Sequence, residues 1–389
     1  MAANSGRFAA VCEWRNCRIK VLLPEPGAPH LYASDKIFTI VNQRTFHFDE
    51  LPVSDSAVDE LLSRPTPELL DSLQKTPGDI VILGVGGKMG PTLAMMARRA
   101  LDQLGSKDKV IGVARFSNPE ARRKLEDANI ETVKCDLLEP AEVAKLPEAA
   151  NVIFMAGHKF GASSSPDLTW AMNVMVPAYA AQQYPDSKTV VFSTGCVYPL
   201  VPIKAGGARE ETELAPPGDY ANSCVGRERI FSYYSNKNNT PVALFRLNYA
   251  IDFRYGVLMD VAQKVWNGEP LDVSMGHANV IWQGDANARA LMCLAHATSP
   301  ASAFNITGPE TISLRSLAVR FGQLLDRKPN IIGEEAATAW LSDASKSNQL
   351  FGYPHVSLDE MTDWVAQYLQ SGGQTLGKPT HFEEREGKF

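Results

Sequence analysis

The residues of this 389-residue sequence best suited to chemistry begin in the run DIVILGVGGKMG, where an apolar stretch leads straight into Gly84, Gly87 and Gly90. The run predicts a buried strand that turns directly into a helix. Gly84 permits the tight turn, Gly87 lets backbone approach a pyrophosphate, and Gly90 lets the helix pack closely on the strand. Amides at the helix N-terminus would meet the phosphate charge, so the chemistry is dinucleotide binding. Lys88 and Met89 lie inside the loop, at the cofactor.

Two further segments fit the same ligand. Cys135-Asp136-Leu137 ends the third expected strand, where the Asp136 carboxylate can accept from an adenine amino group and Leu137 can pack on the ring. A helix-capping role for Asp136 stays open beside this one. The second expected strand ends in Ala114-Arg115-Phe116-Ser117, without the carboxylate that would take a ribose 2′-hydroxyl. Arg115, with Ser117 and Arg122, can meet a 2′-phosphate instead, and Lys88 adds positive charge. This favours NADP over NAD, with a solvated basic surface as the alternative.

The elements that must position these residues follow a regular rhythm. DIVILG, KVIGVARF, IETVKCD, NVIFMAG, TVVFST and PVALFRLN read as strands, separated by helical stretches such as PTLAMMARRALDQLG and YANSCVGRERIFSYYS. Apolar strands alternating with amphipathic helices build a parallel sheet covered on both faces. The sequence therefore predicts an α/β protein with a doubly wound parallel sheet over residues 79–250. A smaller α+β region over 251–389 holds short helices, isolated strands such as AFNIT, and a charged surface tail, PTHFEEREGKF. Residues 1–45, broken by LLPEPGAPH, read as an extension. Residues 46–78 read as a helical lead-in whose SRPTPE segment suits a helix entry.

Composition bounds the function. Hydrophobic residues make up 44% and charged residues 21%, as in a folded globular chain, and a net charge of -6 speaks against nucleic acid as partner. No apolar run is long enough to span a bilayer, and the N-terminal residues lack the apolar core of a secretory signal, so the expectation is cytoplasmic with no membrane partner. The six cysteines are scattered and are expected as reduced thiols, with no metal site.

Taken together, these motifs resemble the extended short-chain dehydrogenase/reductase superfamily, and within it the NAD-dependent epimerase/dehydratase family, over about residues 79–325. The resemblance implies a Rossmann fold with a C-terminal substrate domain. It implies that Ala156 and Gly157 of AGHKFG flank the cofactor, that Lys159 reaches the cofactor phosphates, and that Asn173 matches the family's helix asparagine. It implies that Thr194 of FSTGCVYP and Tyr220 of GDYANSC are the catalytic Ser/Thr and the tyrosine of Y-x-x-x-K. A homodimer pairing the helices of Asn173 and Tyr220 follows from the same source.

One position departs from that pattern: Cys224 stands where the lysine should be. An ammonium there would lower the tyrosine pKa, ordinarily near 10, whereas a thiol offers no charge. Lys159 and Arg227 are the candidates to replace it, and Cys224 itself has no histidine beside it to make a thiolate nucleophile. Further candidates for substrate contact are His158, Asn248 and His277, then Tyr249 and Arg254. Arg246 reads equally as core, and Asp285 as a helix N-cap. The expected activity is an NAD(P)-dependent epimerase/dehydratase-like or dehydrogenase reaction on a secondary alcohol of a small, sugar-like substrate. A dinucleotide-binding sensor or partner protein with little redox activity is the rival.

Overall fold

A computed structural model describes residues 11–14, 17–20, 51, 54–159 and 161–388. The chain divides into two compact units, residues 1–44 and 45–389. In the first, Val11–Trp14 pairs antiparallel with Cys17–Lys20. The expectation about LLPEPGAPH lies outside the described residues, and the one about the thiols of Cys12 and Cys17 outside the described side chains.

The second unit is built on a seven-stranded sheet. Its strands are β1 (Ile80–Leu83), β2 (Val110–Ala114), β3 (Glu131–Lys134), β4 (Asn151–Phe154), β5 (Lys188–Thr194), β6 (Val242–Leu247) and β7 (Ser302–Ile306). They lie in the order β7-β6-β5-β4-β1-β2-β3, and every pairing is parallel. Reversal of strand order between β1 and β4 opens a crevice at the carboxyl ends of these strands, where ligands bind in such sheets. β1 and β4 are buried along their whole length, as strands covered on both faces must be. β3, at the edge, exposes Glu131 and Lys134, charges that discourage a further strand from pairing there.

β7 corrects the sequence reading. AFNIT is not an isolated strand of the C-terminal region. Its backbone pairs with β6 from Ser302↔Ala243 to Ile306↔Leu247 and extends the main sheet. The lead-in forms α1 (Asp55–Leu62) and α2 (Pro67–Leu73). Thr66 caps α2 and Pro67 stands in its first turn, where a missing amide costs nothing. The helices that matter for the site are α3 (Gly90–Gln103), which follows β1, and α4 (Asp219–Asn238), which precedes β6. Beyond β6, α5 (Val257–Asn267), α6 (Leu314–Leu325) and α7 (Leu358–Gln370) enclose a second core in which Phe253, Trp282, Trp364 and Tyr368 pack ring against ring.

The tail is the second correction. Residues 372–388 do not merely lie on the surface: Phe382 is 1% exposed within that second core. Thr380 is held by the Asp260 carboxylate through its amide and hydroxyl, Glu383 pairs with Lys264, and Arg385 donates to the Thr338 carbonyl at 2.7 Å. The charged residues read as solvated thus anchor a strap.

Candidate active site

The first turn after β1 shapes the site. Gly84 has φ +88°, in the left-handed region, and turns the chain away from β4. A Cβ on Gly90 would stand 2.2 Å from the Val85 carbonyl oxygen, so only glycine lets α3 start this close to the turn. Gly84 and Gly87 border two cavities, one on each side of the loop.

One cavity, of about 370 Å³, lies over β2 and β3 and takes in Arg115, Ser117, Asp136, Leu137, Ala156 and Gly157. Arg115 is exposed on its wall and forms no salt bridge among the described residues. Asp136 accepts from the Leu138 amide at 3.1 Å, so its carboxylate is fixed at the cavity edge. Arg122 is not part of this group: it donates to Glu126 at 2.8 Å and to Thr132 at 3.0 Å.

The other cavity, of about 260 Å³, is lined by Lys88, Met89, Gly90, Lys159, Thr194, Tyr220 and Asn248 among others. Thr194 ends β5, and its hydroxyl oxygen accepts from the Cys196 amide at 3.2 Å, which leaves the hydroxyl proton to point elsewhere. Tyr220 stands in the first turn of α4. Lys88 lies here, apart from Arg115, with Nζ 3.3 Å from the centre of the Tyr255 ring. Crowding by protein around the cavity pushes its pKa down to about 7, although the side chain is partly open to the cavity itself.

Cys224 is fully buried, and burial raises its thiol pKa, so no charge stands at the lysine position. Tyr220 is left with a pKa well above 10, raised first by burial and then by the two nearby thiols, Cys224 and Cys196. Two cations lie near it. Lys159 Nζ is 5.8 Å from the Tyr220 ring centre, its own pKa lowered by burial. Arg227 lowers the Tyr220 pKa but is committed below the cavity, donating to the Phe192 carbonyl at 2.7 Å and to Asn173 Oδ1 at 2.7 Å. Asn173 sits in a π-helical turn, Ala171–Met175, of the kind often found at functional sites. It joins Arg227 to the backbone of His158 and to the Ser223 hydroxyl.

The remaining candidates separate. Asn248 and Tyr249 face the cavity. The His158 ring is turned to the Thr169 hydroxyl at 2.9 Å and lines neither cavity, because the Asn173 amide grips its backbone. His277 sits in a short strand paired with Ile312–Ser313, and it too lines neither. Arg254 is drawn into a buried cluster with Asp55, Asp59 and Asp252. Arg246 is buried against Glu228. Asp285 is no N-cap; its carboxylate, in the first turn of a helix, holds His355 and the Val356 amide.

Sequence reasoning missed Tyr255 and Thr380 in the cavity wall. Tyr255 carried the faint signal of an aromatic residue before a helix-opening glycine; Thr380 carried none. Backbone strain marks the same places. Tyr249 at φ +44° and Phe116 at φ +49° lie in the left-handed region, and each lines one of the two cavities.

Comparison with known proteins agrees with this fold. Residues 80–251 match the model of the NAD dependent epimerase/dehydratase family. No curated protein sequence matches. Among solved structures, dTDP-glucose 4,6-dehydratase DesIV from Streptomyces venezuelae with NAD bound aligns with a TM-score of 0.64 at 17% identity, over 75% of this chain and 97% of that one. UDP-glucose 4-epimerase from Thermotoga maritima with UDP-glucose gives 0.62 at 15%, over 76% and 99%. UDP-glucose 4-epimerase from Thermus thermophilus with NAD gives 0.61 at 17%, over 75% and 99%. Among the described residues no helix is long and apolar enough to cross a membrane.

Proposed function

We propose that the chain, whose residues 80–251 match the model of the NAD dependent epimerase/dehydratase family, is an NAD(P)-dependent enzyme of the extended short-chain dehydrogenase/reductase superfamily that interconverts a secondary alcohol and a ketone on a small, sugar-like substrate. The observation that carries this reading is one cavity bordered at once by the glycine loop, Thr194 and Tyr220. The bound nicotinamide supplies or accepts hydride. Thr194 donates its free hydroxyl proton to the reacting oxygen, and Tyr220 exchanges the proton there.

Because the Tyr220 pKa is well above 10, the phenol is neutral near pH 7 and serves as proton donor, toward reduction. The loss of the lysine charge at Cys224 thus favours the protonated, donor form of Tyr220. The same buried, neutral thiol supports the rival reading of a dinucleotide-binding sensor or partner with little turnover.

Arg115 and Ser117 at the end of β2, with no carboxylate but Asp136 lining the cavity there among the described residues, favour NADP over NAD. Dimerisation through the helices of Asn173 and Tyr220 is supported by exposed apolar side chains on them, Trp170 at 40%, Met175 at 47% and Tyr233 at 57%. Calorimetry with NADP and NAD on the wild type and on Arg115→Ala tests the cofactor assignment. NADP is expected to bind tighter, and the variant to lose that preference while retaining NAD. Failure of both cofactors to bind would remove the enzyme reading.

A further inference from the structure

We propose that the Thr194–Tyr220 cavity holds an anion-binding subsite, in which Lys88 takes the carboxylate or phosphate of a compact hydroxylated substrate. This rests on the reading of that cavity as the reaction chamber. Among the described residues, two lysines, Lys88 and Lys159, line the cavity, and no aspartate or glutamate does. The carboxylates whose charge acts on Lys88, Asp252 and Asp260, are themselves engaged: Asp252 by Arg254 at 3.2 Å, and Asp260 by the Thr380 amide at 2.9 Å. Lys88 itself forms no salt bridge among the described residues; its ammonium rests on the face of Tyr255. A crowded ammonium with only an aromatic face beneath it is short of negative charge, and a ligand anion supplies it.

Size narrows the ligand. The cavity of about 260 Å³ falls just below the usual range of ligand pockets, roughly 300–1,000 Å³. It must also receive a nicotinamide ring, and Thr380 of the strap walls it. What remains suits a single sugar acid or sugar phosphate better than a sugar joined to a nucleotide diphosphate.

An anion at Lys88 could belong to the cofactor's phosphates or to the substrate, and the test separates these sources. Calorimetry on the full chain, free and saturated with NADP, compares D-glucuronate and glucose 6-phosphate with neutral D-glucose, and with UDP-glucose. At least one of the two acids is expected to bind about tenfold or more tighter than glucose. In the NADP-saturated protein Lys88→Met should erase that difference, and Lys88→Arg should preserve it. Equal binding of acids and glucose by the wild type would overturn the proposal, with no variant required. So would a Lys88→Met protein that loses NADP and acid together, which assigns Lys88 to the cofactor, or UDP-glucose binding tighter than both acids. If the wild type binds neither nicotinamide cofactor, the redox reading fails, yet preference for the acids over glucose still decides the subsite.

Discussion

At Tyr220 and Cys224 two neutral groups occupy positions where an ion pair of functions is expected, and their burial sets what each can do. A phenol whose pKa is raised stays protonated as pH increases, so its donor form persists and its base form is scarce. Reduction of a ketone should therefore be level from pH 6 to pH 9, while alcohol oxidation, which needs the phenolate, should climb throughout that window without a plateau; initial rates in both directions check this. Restoring the family lysine is not a simple repair. Cys224 is fully buried and close enough to Arg227 for its charge to be felt, so Cys224→Lys places a second cation in the same space. The expected result is a loss of about 3 kcal/mol or more, read as a lower urea midpoint, before any gain in hydride transfer can be seen.

Three elements meet behind the site, and a single buried ion pair joins them. Glu228 on α4 takes Arg246 on β6 at 2.7 Å and the Ser193 hydroxyl on β5 at 2.6 Å, next to Thr194. Arg246 also donates to the Tyr198 hydroxyl at 2.6 Å, which donates in turn to Asn305 on β7 at 2.8 Å. Removing one partner strands a buried charge, so Glu228→Ala should cost about 3–5 kcal/mol in denaturant unfolding and lower activity through the position of Thr194. At this scale the sequence was informative where pattern is local. The glycine loop, the strand-helix rhythm and the Thr66-Pro67 helix entry were legible because neighbouring residues determine them. β7 was not: five residues of mixed burial give no strong period, and their partner β6 lies more than fifty positions earlier. Lys88 was legible as a residue of the loop, but its direction was set by Tyr255, far along the chain.

In the second unit as a whole, residues 372–388 tie the C-terminal region to the site. The strap runs from Arg254, whose carbonyl accepts from the Leu376 amide at 3.0 Å, past the cavity at Thr380, to Gly387. Gly387 packs on Gly218, the residue that opens the helix of Tyr220. A charged segment with one apolar anchor, Phe382, has no periodicity to reveal such a course. Truncation before Leu376 should lower the melting temperature by several degrees, since burying a phenylalanine contributes roughly 1.5–3 kcal/mol. Cofactor affinity should be retained and acid binding weakened, as calorimetry on the truncated chain would show.

The central claim is that one cavity couples the glycine loop to Thr194 and Tyr220 for hydride exchange. Its most direct test is nicotinamide absorbance after mixing the cofactor-loaded protein with a panel of sugar acids and sugar phosphates, in the wild type and in Tyr220→Phe. A change in absorbance with at least one compound, slowed about 10²-fold or more in the variant at unchanged cofactor affinity, is the predicted result. Tight cofactor binding with no absorbance change for any compound, or equal rates in the two proteins, would contradict it.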